Sequence, residues 1–456
     1  MARTARPLAL LLCLLSLLVV LSLRAAAAGA DADLAPGRVV VKLRPGASLR
    51  GAQAARGALA VEEHAGIGAQ VWRVEPGREK EIAQQLAALP EVEYAEPDRI
   101  AHLYAIPSDP LYPGYQWNLP KIGAPQAWDV TTGDPGVVVA VVDSGFDVGH
   151  GDGPAHLLLG CDYVRWRDTS FGGACPRVQD DPNGHGTHVA GIVAARQNNG
   201  LGISGVAPGV SLMPIRTADE TGASYLSDVA SAVREATDGG ARVINLSLGG
   251  PASTTTLQSA VQYALQRGVV VVAAMGNEYQ QGSPISYPAA YDGVVAVGAA
   301  TRDDQHARYS NTGDHISLVA PGGDGDAVGD PLNWITSLYP RALDPAGFAF
   351  MVGTSQASPH VAGTAGLMFS AAPSLSGAEA ARLLRSTARP LGGAVPNPTF
   401  GYGYLDASAA VRAAQAEAYC PPQSAPSPFV AVPALAPGWH REYVPGATRG
   451  FSFSCL

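Results

Sequence analysis

The sequence predicts an α/β protein with a doubly wound, mainly parallel sheet, preceded by a small α+β domain. Three observations carry this. From residue 108 to about 416, short β-branched runs alternate with segments of helical period. Some of those runs, 137–143 above all, are apolar without alternation, as strands buried on both faces must be. Residues 31–107 carry their own short strands and one amphipathic helix, set off by the breakers Pro107 and Pro110. With 47% apolar and 15% charged residues, the 456-residue chain can bury a large core, which excludes wholesale disorder. Its 53 glycines and 36 prolines follow no Gly-X-Y period, which excludes collagen. A formal charge of −9 and no block of Lys and Arg give no footing for nucleic acid or an anionic membrane.

In chain order, Arg3 and Arg6 precede an apolar run over 8–23, and small residues end at Ala28-Gly29-Ala30. This reads as a secretory signal peptide over residues 1–30. The alternative is an uncleaved anchor, but a span needs about 20 apolar residues. Secretion is expected, with the periplasm as the other destination of the same route and no membrane association once the signal is removed. Removal leaves Cys161, Cys175, Cys420 and Cys455. An oxidising compartment makes disulfides the default reading, and three connectivities are open. Nearness in sequence favours Cys161 with Cys175 and Cys420 with Cys455. A zinc site competes, but no CxxC or His pair supports it.

The first domain is expected to hold strands at 39–41, 71–74 and 91–94 and a helix at 80–89. The larger domain, 108–416, is expected to hold strands at 137–143, 211–217, 242–248 and 269–274, with helices at 185–195, 226–236 and 257–267. Residues 417–456 form a Pro-rich extension with the last two cysteines. Sheets of this kind bind ligands at the carboxyl ends of their strands.

Three segments fall at such ends or at helix starts. They are VVDSGFD with Asp143, NGHGTHVAG with His185 and GTSQASPHVAG with Ser355. Singly, Asp143 reads as a turn cap, His185 as a core histidine and Ser355 as an N-cap. Together they supply what nucleophilic attack on an amide needs. A serine hydroxyl requires a base with a pKa near neutrality, and a carboxylate fixes the imidazole's tautomer. Ser355 is the expected nucleophile, His185 the general acid and base, and Asp143 the orienting group. A serine at a helix start also aims its own N–H at a developing oxyanion. Asn277, after the strand end Ala273-Ala274-Met275-Gly276, is the expected second donor; an Asx turn is its plain reading.

At these residues the chain resembles the subtilisin-family (subtilase) serine proteases, nearest their thermitase-like branch. The order Asp, His, Ser matches that family, and GTSQA lacks the second glycine of an esterase elbow. The related sedolisins place Glu and Asp where this chain has His185 and Asn277. The resemblance implies a monomeric serine endopeptidase of broad specificity that needs no cofactor for catalysis. A narrow processing protease and a non-catalytic binding protein on the same scaffold are the alternatives. It also implies that residues 31–107, with EVEYAEPD as the strongest local match, form a propeptide that folds and inhibits the enzyme. A permanently attached domain is the plain reading there. Cleavage is expected between Ile100 and Ser108. Polypeptide substrates would add as a strand along Gly222-Ala223-Ser224 and Ser247-Leu248-Gly249. Glu278 would line the pocket for the residue before the cut bond, unless it is a solvated surface charge. Structural calcium is implied at Asp109, Asp152 and the loop Gln197, Asn199, Leu201 and Ile203, whose plain reading is an Asn/Gly turn. Gln356 departs from the family, which usually has methionine there.

Overall fold

The structure is a computed structural model that describes residues 34–49, 57–100, 106–167, 173–323 and 331–419. The signal segment, Cys420, Cys455 and the extension beyond Tyr419 lie outside the described residues. The chain forms two compact units that divide after Tyr104.

The first unit holds β1 (Leu34–Leu43), β2 (Ala60–His64), β3 (Ala69–Arg73), α1 (Glu79–Ala87) and β4 (Val92–Arg99). The strands form an antiparallel sheet in the order β2-β3-β1-β4. Helical spacing puts Ile82, Ala83 and Leu86 on one stripe of α1, which packs with Val39, Val41, Trp72 and Val92 of the sheet. The strand β2 was not expected, because AVEEH has no apolar alternation and buries none of its side chains. Main-chain pairing with β3 holds it at the edge. β4 runs on to Arg99, past the expected end at 94. It passes Pro97, which an edge strand tolerates.

The second unit begins with three short helices, α2 (Tyr112–Tyr115), α3 (Asn118–Lys121) and α4 (Ala124–Trp128). There follow β5 (Val138–Asp143), β6 (His156–Leu157), α5 (Tyr163–Trp166), α6 (His185–Ala194), β7 (Ser211–Arg216) and α7 (Leu226–Asp238). Next come β8 (Ala241–Leu246), α8 (Thr255–Gln266), β9 (Val270–Ala274), β10 (Val295–Ala300) and β11 (Leu318–Pro321). A hairpin, β12 (Ile335–Leu338) with β13 (Phe348–Met351), precedes α9 (Thr354–Ala371), α10 (Gly377–Ser386) and α11 (Ala407–Tyr419).

The seven-stranded sheet has the order β11-β10-β9-β8-β5-β7-β6, and every pairing in it is parallel. All six residues of β5, VVAVVD, are buried, because helices cover both faces of the sheet. The chain leaves β5 toward β7 on one side and returns to β8 on the other. The carboxyl ends of β5 and β8 therefore flank the point where strand order reverses, the crevice in which open α/β sheets bind ligands. Expected strands and helices of this body lie within two residues of those observed. β10, β11 and the hairpin were not anticipated; their runs are short and interrupted by glycine and small residues. The last helix continues to Tyr419, past the expected boundary at 416, because ASAAVRAAQAEAY is composed largely of strong helix formers.

Among the described residues no helix is long and apolar enough to cross a membrane. Cys161 and Cys175 form a disulfide with Cα atoms 5.6 Å apart, closing a loop on the segment before α6. Replacing both by serine should lower the unfolding free energy by about 3 kcal/mol, the chain-entropy value for a loop of this size. Equilibrium denaturation in guanidinium checks it.

Candidate active site

Three adjacent strands, in the order β9-β8-β5, end at one edge of the sheet. Asp143 is the last residue of β5 and is 3% exposed. Its Oδ1 accepts from His185 Nδ1 at 2.8 Å and from Ser144 N at 2.8 Å, while Oδ2 is buried with no partner. His185 is the first residue of α6, and the helix start lies directly on the turn after Asp143. A β-carbon at position 186 would collide with the Gly145 carbonyl oxygen, so only glycine permits this approach. Burial pulls the His185 pKa down. The Asp143 carboxylate, its hydrogen bond and the charge of Asp181 outweigh burial and leave the pKa above its ordinary value.

Ser355 is the second residue of α9. Pro359 lies four residues on and has no N–H, so the Ser355 carbonyl loses its intrahelical donor. The Ser247 hydroxyl, just past β8, supplies the bond instead at 2.8 Å. The Ser355 hydroxyl in turn donates to the Ser247 carbonyl at 3.1 Å and not to the His185 ring. Catalytic contacts of this kind commonly tighten only when substrate is present.

Asn277 follows β9. Its Oδ1 accepts from both Thr354 N and Thr354 Oγ1 at 2.9 Å, and its Nδ2 has no hydrogen-bond partner among the described residues. The Ser355 N–H likewise has no protein acceptor among the described residues. Gly353 has φ +152 and ψ 162, a region that glycine alone occupies readily. A β-carbon there would stand 3.6 Å from both Asn277 Nδ2 and Ser355 N. The two donors thus border one small space that the missing side chain keeps open, and the Gln356 side-chain oxygen, 2.8 Å from the same point, borders it too.

A cavity of about 380 Å³ opens beside them, lined in part by Leu248, Gly249, Ala274, Asn277, Glu278 and Ser355. Glu278 is half-buried and not merely solvated. Its Oε2 accepts from Asn277 N at 2.8 Å and Asn311 Nδ2 at 3.0 Å, and Oε1 has no hydrogen-bond partner among the described residues. Gly222 and Ala223 are exposed, and the Asp219 carboxylate receives Ala223 N at 3.1 Å. Asn183 Nδ2 donates to Glu220 O at 3.0 Å, linking that loop to the residues before His185. Ser247 is buried, Leu248 half-buried and Gly249 exposed.

The loop expected to hold calcium closes on two buried carboxylates. Asp109 accepts from Asn198 N at 2.9 Å and Asn199 N at 3.2 Å. Asp152 accepts from Asn199 Nδ2 at 2.7 Å and Ile203 N at 2.9 Å. Asn199 Oδ1 receives Leu201 N at 2.8 Å. Gln197 is half-buried and Leu201 exposed. Burial, with the neighbouring Asp109 charge, pushes the Asp152 carboxyl up to about 7. Among the described residues no three acidic, histidine or cysteine side chains gather, so a cation here would need amide and main-chain oxygens as well.

Several residues at the site had not been singled out. Ser247 had been read only as substrate edge, and the proline five residues into α9 was the available signal that its neighbour needed a donor. Ser144, Asp181, Thr354, His188 and His360 carry no spacing that marks them. Gln356 is buried with Nε2 near the Met351 sulfur (3.8 Å), and its carbonyl accepts from His360 Nδ1 at 2.8 Å.

A family model described as the subtilase family matches residues 134–403, and one described as the fervidolysin N-terminal prodomain matches residues 22–98. A thermophilic serine proteinase of Bacillus sp. (strain AK1) is 41% identical over 315 residues, covering 69% of this chain and 72% of that protein. Thermitase from Thermoactinomyces vulgaris is 40% identical over 275 residues, covering 60% and 89%. Among solved structures, a protease from Pseudoalteromonas arctica superposes with a TM-score of 0.61 at 34% identity, covering 68% of this chain and 100% of that one.

The contacts at His185 set the direction of its titration. Followed by imidazole NMR, its midpoint should lie above 6.5, and Asp143→Asn should bring it down, since the carboxylate is the group that outweighs burial.

Proposed function

The chain belongs to the subtilase family and is a serine endopeptidase with an N-terminal prodomain; from that premise we propose a secreted, self-processing enzyme of broad specificity in which Asp143, His185 and Ser355 perform the hydrolysis. The observation that carries this reading is the pair of unpartnered N–H donors, Asn277 Nδ2 and Ser355 N, bordering one space beside the Ser355 hydroxyl.

The chemistry follows from proton bookkeeping. Asp143 holds His185 through Nδ1, so Nε2 is the nitrogen left to accept a proton. Ser355 swings from the Ser247 carbonyl toward Nε2 and attacks the substrate carbonyl carbon as its proton passes to the ring. The carbonyl π electrons move to oxygen, and that oxyanion is received by Asn277 Nδ2 and Ser355 N–H. Asp143 stabilises the imidazolium, which then gives its proton to the leaving amine. Water attacks the acyl-enzyme by the same route and regenerates the hydroxyl.

Substrate pairs its backbone with Gly222-Ala223-Ser224 and Ser247-Leu248-Gly249, which reads shape rather than sequence. The residue before the cut bond enters the 380 Å³ cavity, where the unpartnered Oε1 of Glu278 favours polar or basic side chains. Residues 31–107 act as chaperone and inhibitor until cleavage between Ile100 and Ser108. Export rests on the signal-like segment 1–30, and the Cys420–Cys455 staple remains a proposal for the extension. Calcium binds at Asp109 and Asp152. Two buried carboxylates with no cationic partner in hydrogen-bond contact are a donor set that suits a hard cation, joined by Asn199 and the carbonyl oxygens of the 197–203 loop.

Two experiments test these assignments. Ser355→Ala should accumulate as an unprocessed precursor that leaves casein intact, and a processed chain from that variant would defeat the reading. In the same assays Asn277→Ala should lose about 10²–10³ in kcat, the size measured for one such donor in a related enzyme. Chelator should lower the melting temperature of the mature enzyme, and Asp152→Asn should abolish that sensitivity; differential scanning calorimetry reads both.

A further inference from the structure

The mechanism above uses one carboxylate beside His185, but a second is built into the same corner. Asp181 is 2% exposed and stands four residues before His185. Its Oδ1 accepts from the Ser144 hydroxyl at 2.8 Å, from Gly184 N at 2.8 Å and from Asn183 N at 3.2 Å. Its Oδ2 accepts from Thr187 N at 2.8 Å. Three of these donors are main-chain N–H groups around the start of α6, the helix that His185 opens. The fourth belongs to the residue directly after Asp143. Ser144 completes the link by accepting from Gly186 N at 2.8 Å while its own N–H bonds Asp143 Oδ1.

We propose that Asp181 is a positioning residue for the hydrolysis, a buried carboxylate that joins the strand end carrying Asp143 to the helix start carrying His185. This rests on the assignment of His185 as general base. The two groups come from elements 42 residues apart, and their 2.8 Å bond lasts only while β5 and α6 hold their relative place. The Asp181–Ser144–Gly186 bridge fixes that place with short, buried bonds to an ionised group, which are stronger than neutral ones. Asp181 also acts through space, adding a second negative charge near the ring that becomes positive during turnover.

The charged groups around the ring are few. Asp143 faces it from β5 and Asp181 from the loop before α6. His188, one turn along α6, is pushed by burial and by the His185 charge to about 3, so it stays neutral under assay conditions. Asp180, the neighbour of Asp181, is engaged by Arg165 and Arg216.

The test compares mature Asp181→Asn and Ser144→Ala enzymes on a chromogenic peptide across pH, with His185→Ala assayed as the precursor for processing and activity. Asp181→Asn should lower kcat by about 10–100-fold, the loss typical when a partner that orients an active group is removed, with KM within twofold. The acid limb of its kcat/KM profile should move to lower pH, since the imidazolium has lost a favourable charge. Ser144→Ala should lower kcat about severalfold with the limb unmoved, because the charge stays while the bridge is cut. A folded Asp181→Asn enzyme with wild-type kcat, or with reduced kcat and an unmoved limb, overturns the proposal. If Asp181→Asn does not fold, Ser144→Ala decides: a reduced kcat at constant KM supports the bridge, and wild-type kinetics overturns it. Activity surviving in His185→Ala would instead mean that the general-base assignment has failed.

Discussion

The bond from the Ser247 hydroxyl to the Ser355 carbonyl is the constraint on which the arrangement of the site depends, and it exists because Pro359 has no N–H to give. A buried carbonyl left without a donor costs about 1–3 kcal/mol, more than a hydrogen bond yields net. The carbonyl must therefore find a donor outside its helix, and the nearest is on the strand next to the one that ends in Asp143. The absence of one proton on α9 thus registers the helix against β8. Thr354 adds a second tether to the loop after β9 through Asn277 Oδ1. Two neighbouring strands then hold the first two residues of α9, and the free donors of Ser355 and Asn277 face the same space as a consequence.

Three histidines in this region, His185 half-buried and His188 and His360 fully buried, show what separates a base from packing. Burial is the largest influence on each of His185, His188 and His360. His360 bonds a main-chain carbonyl and Asn118, and its pKa falls to about 4. His188 shares its Nε2 between two carbonyls and falls to about 3. Only His185 rises, and only His185 has carboxylates beside it. Neutral acceptors offset too little of the desolvation that a charged ring suffers; an ionised acceptor reverses the sign. The two inert histidines serve the frame instead. His188 joins α6 to the β12–β13 hairpin, and His360 joins α9 to α3.

What could be read in advance divides along physical lines. β5, β7, β8 and β9 were legible because strands covered on both faces are largely apolar, β5 and β9 almost without interruption. α1 and α7 were legible because one face of each is buried and the other is wet. β2 was not, since AVEEH is held at an edge by main-chain bonds that leave no trace in side-chain pattern. The motifs around Asp143, His185 and Ser355 were visible as residue types in a plausible order. Their meeting at one edge depends on the strand order β9-β8-β5, which periodicity does not encode. Ser144 and Asp181 escaped notice for the same reason: a short polar side chain reads as a turn residue until its partners are known.

The beginning of the second unit bears on how processing is compatible with an assembled site. Among the described residues its tertiary bonds start at Ser108, whose N–H meets Asn198 Oδ1 at 3.0 Å, and continue through Asp109 and the Leu111 N–H to Gly202 O. Gln116 then bonds both N–H and C=O of Ser204, and Asn118 bonds the His360 ring, which itself donates to the Gln356 carbonyl next to Ser355. This chain of contacts connects the first residues of the unit to the first turn of α9. A cut upstream of Ser108 removes none of them. A cut a few residues later would free Asp109 and strip the Asn199 and Asn198 amides of their acceptor, with loss reaching the loop that Asp152 also holds. A cut before Ser108 therefore spares every one of these contacts, so hydrolysis there and the integrity of this part of the catalytic unit do not compete.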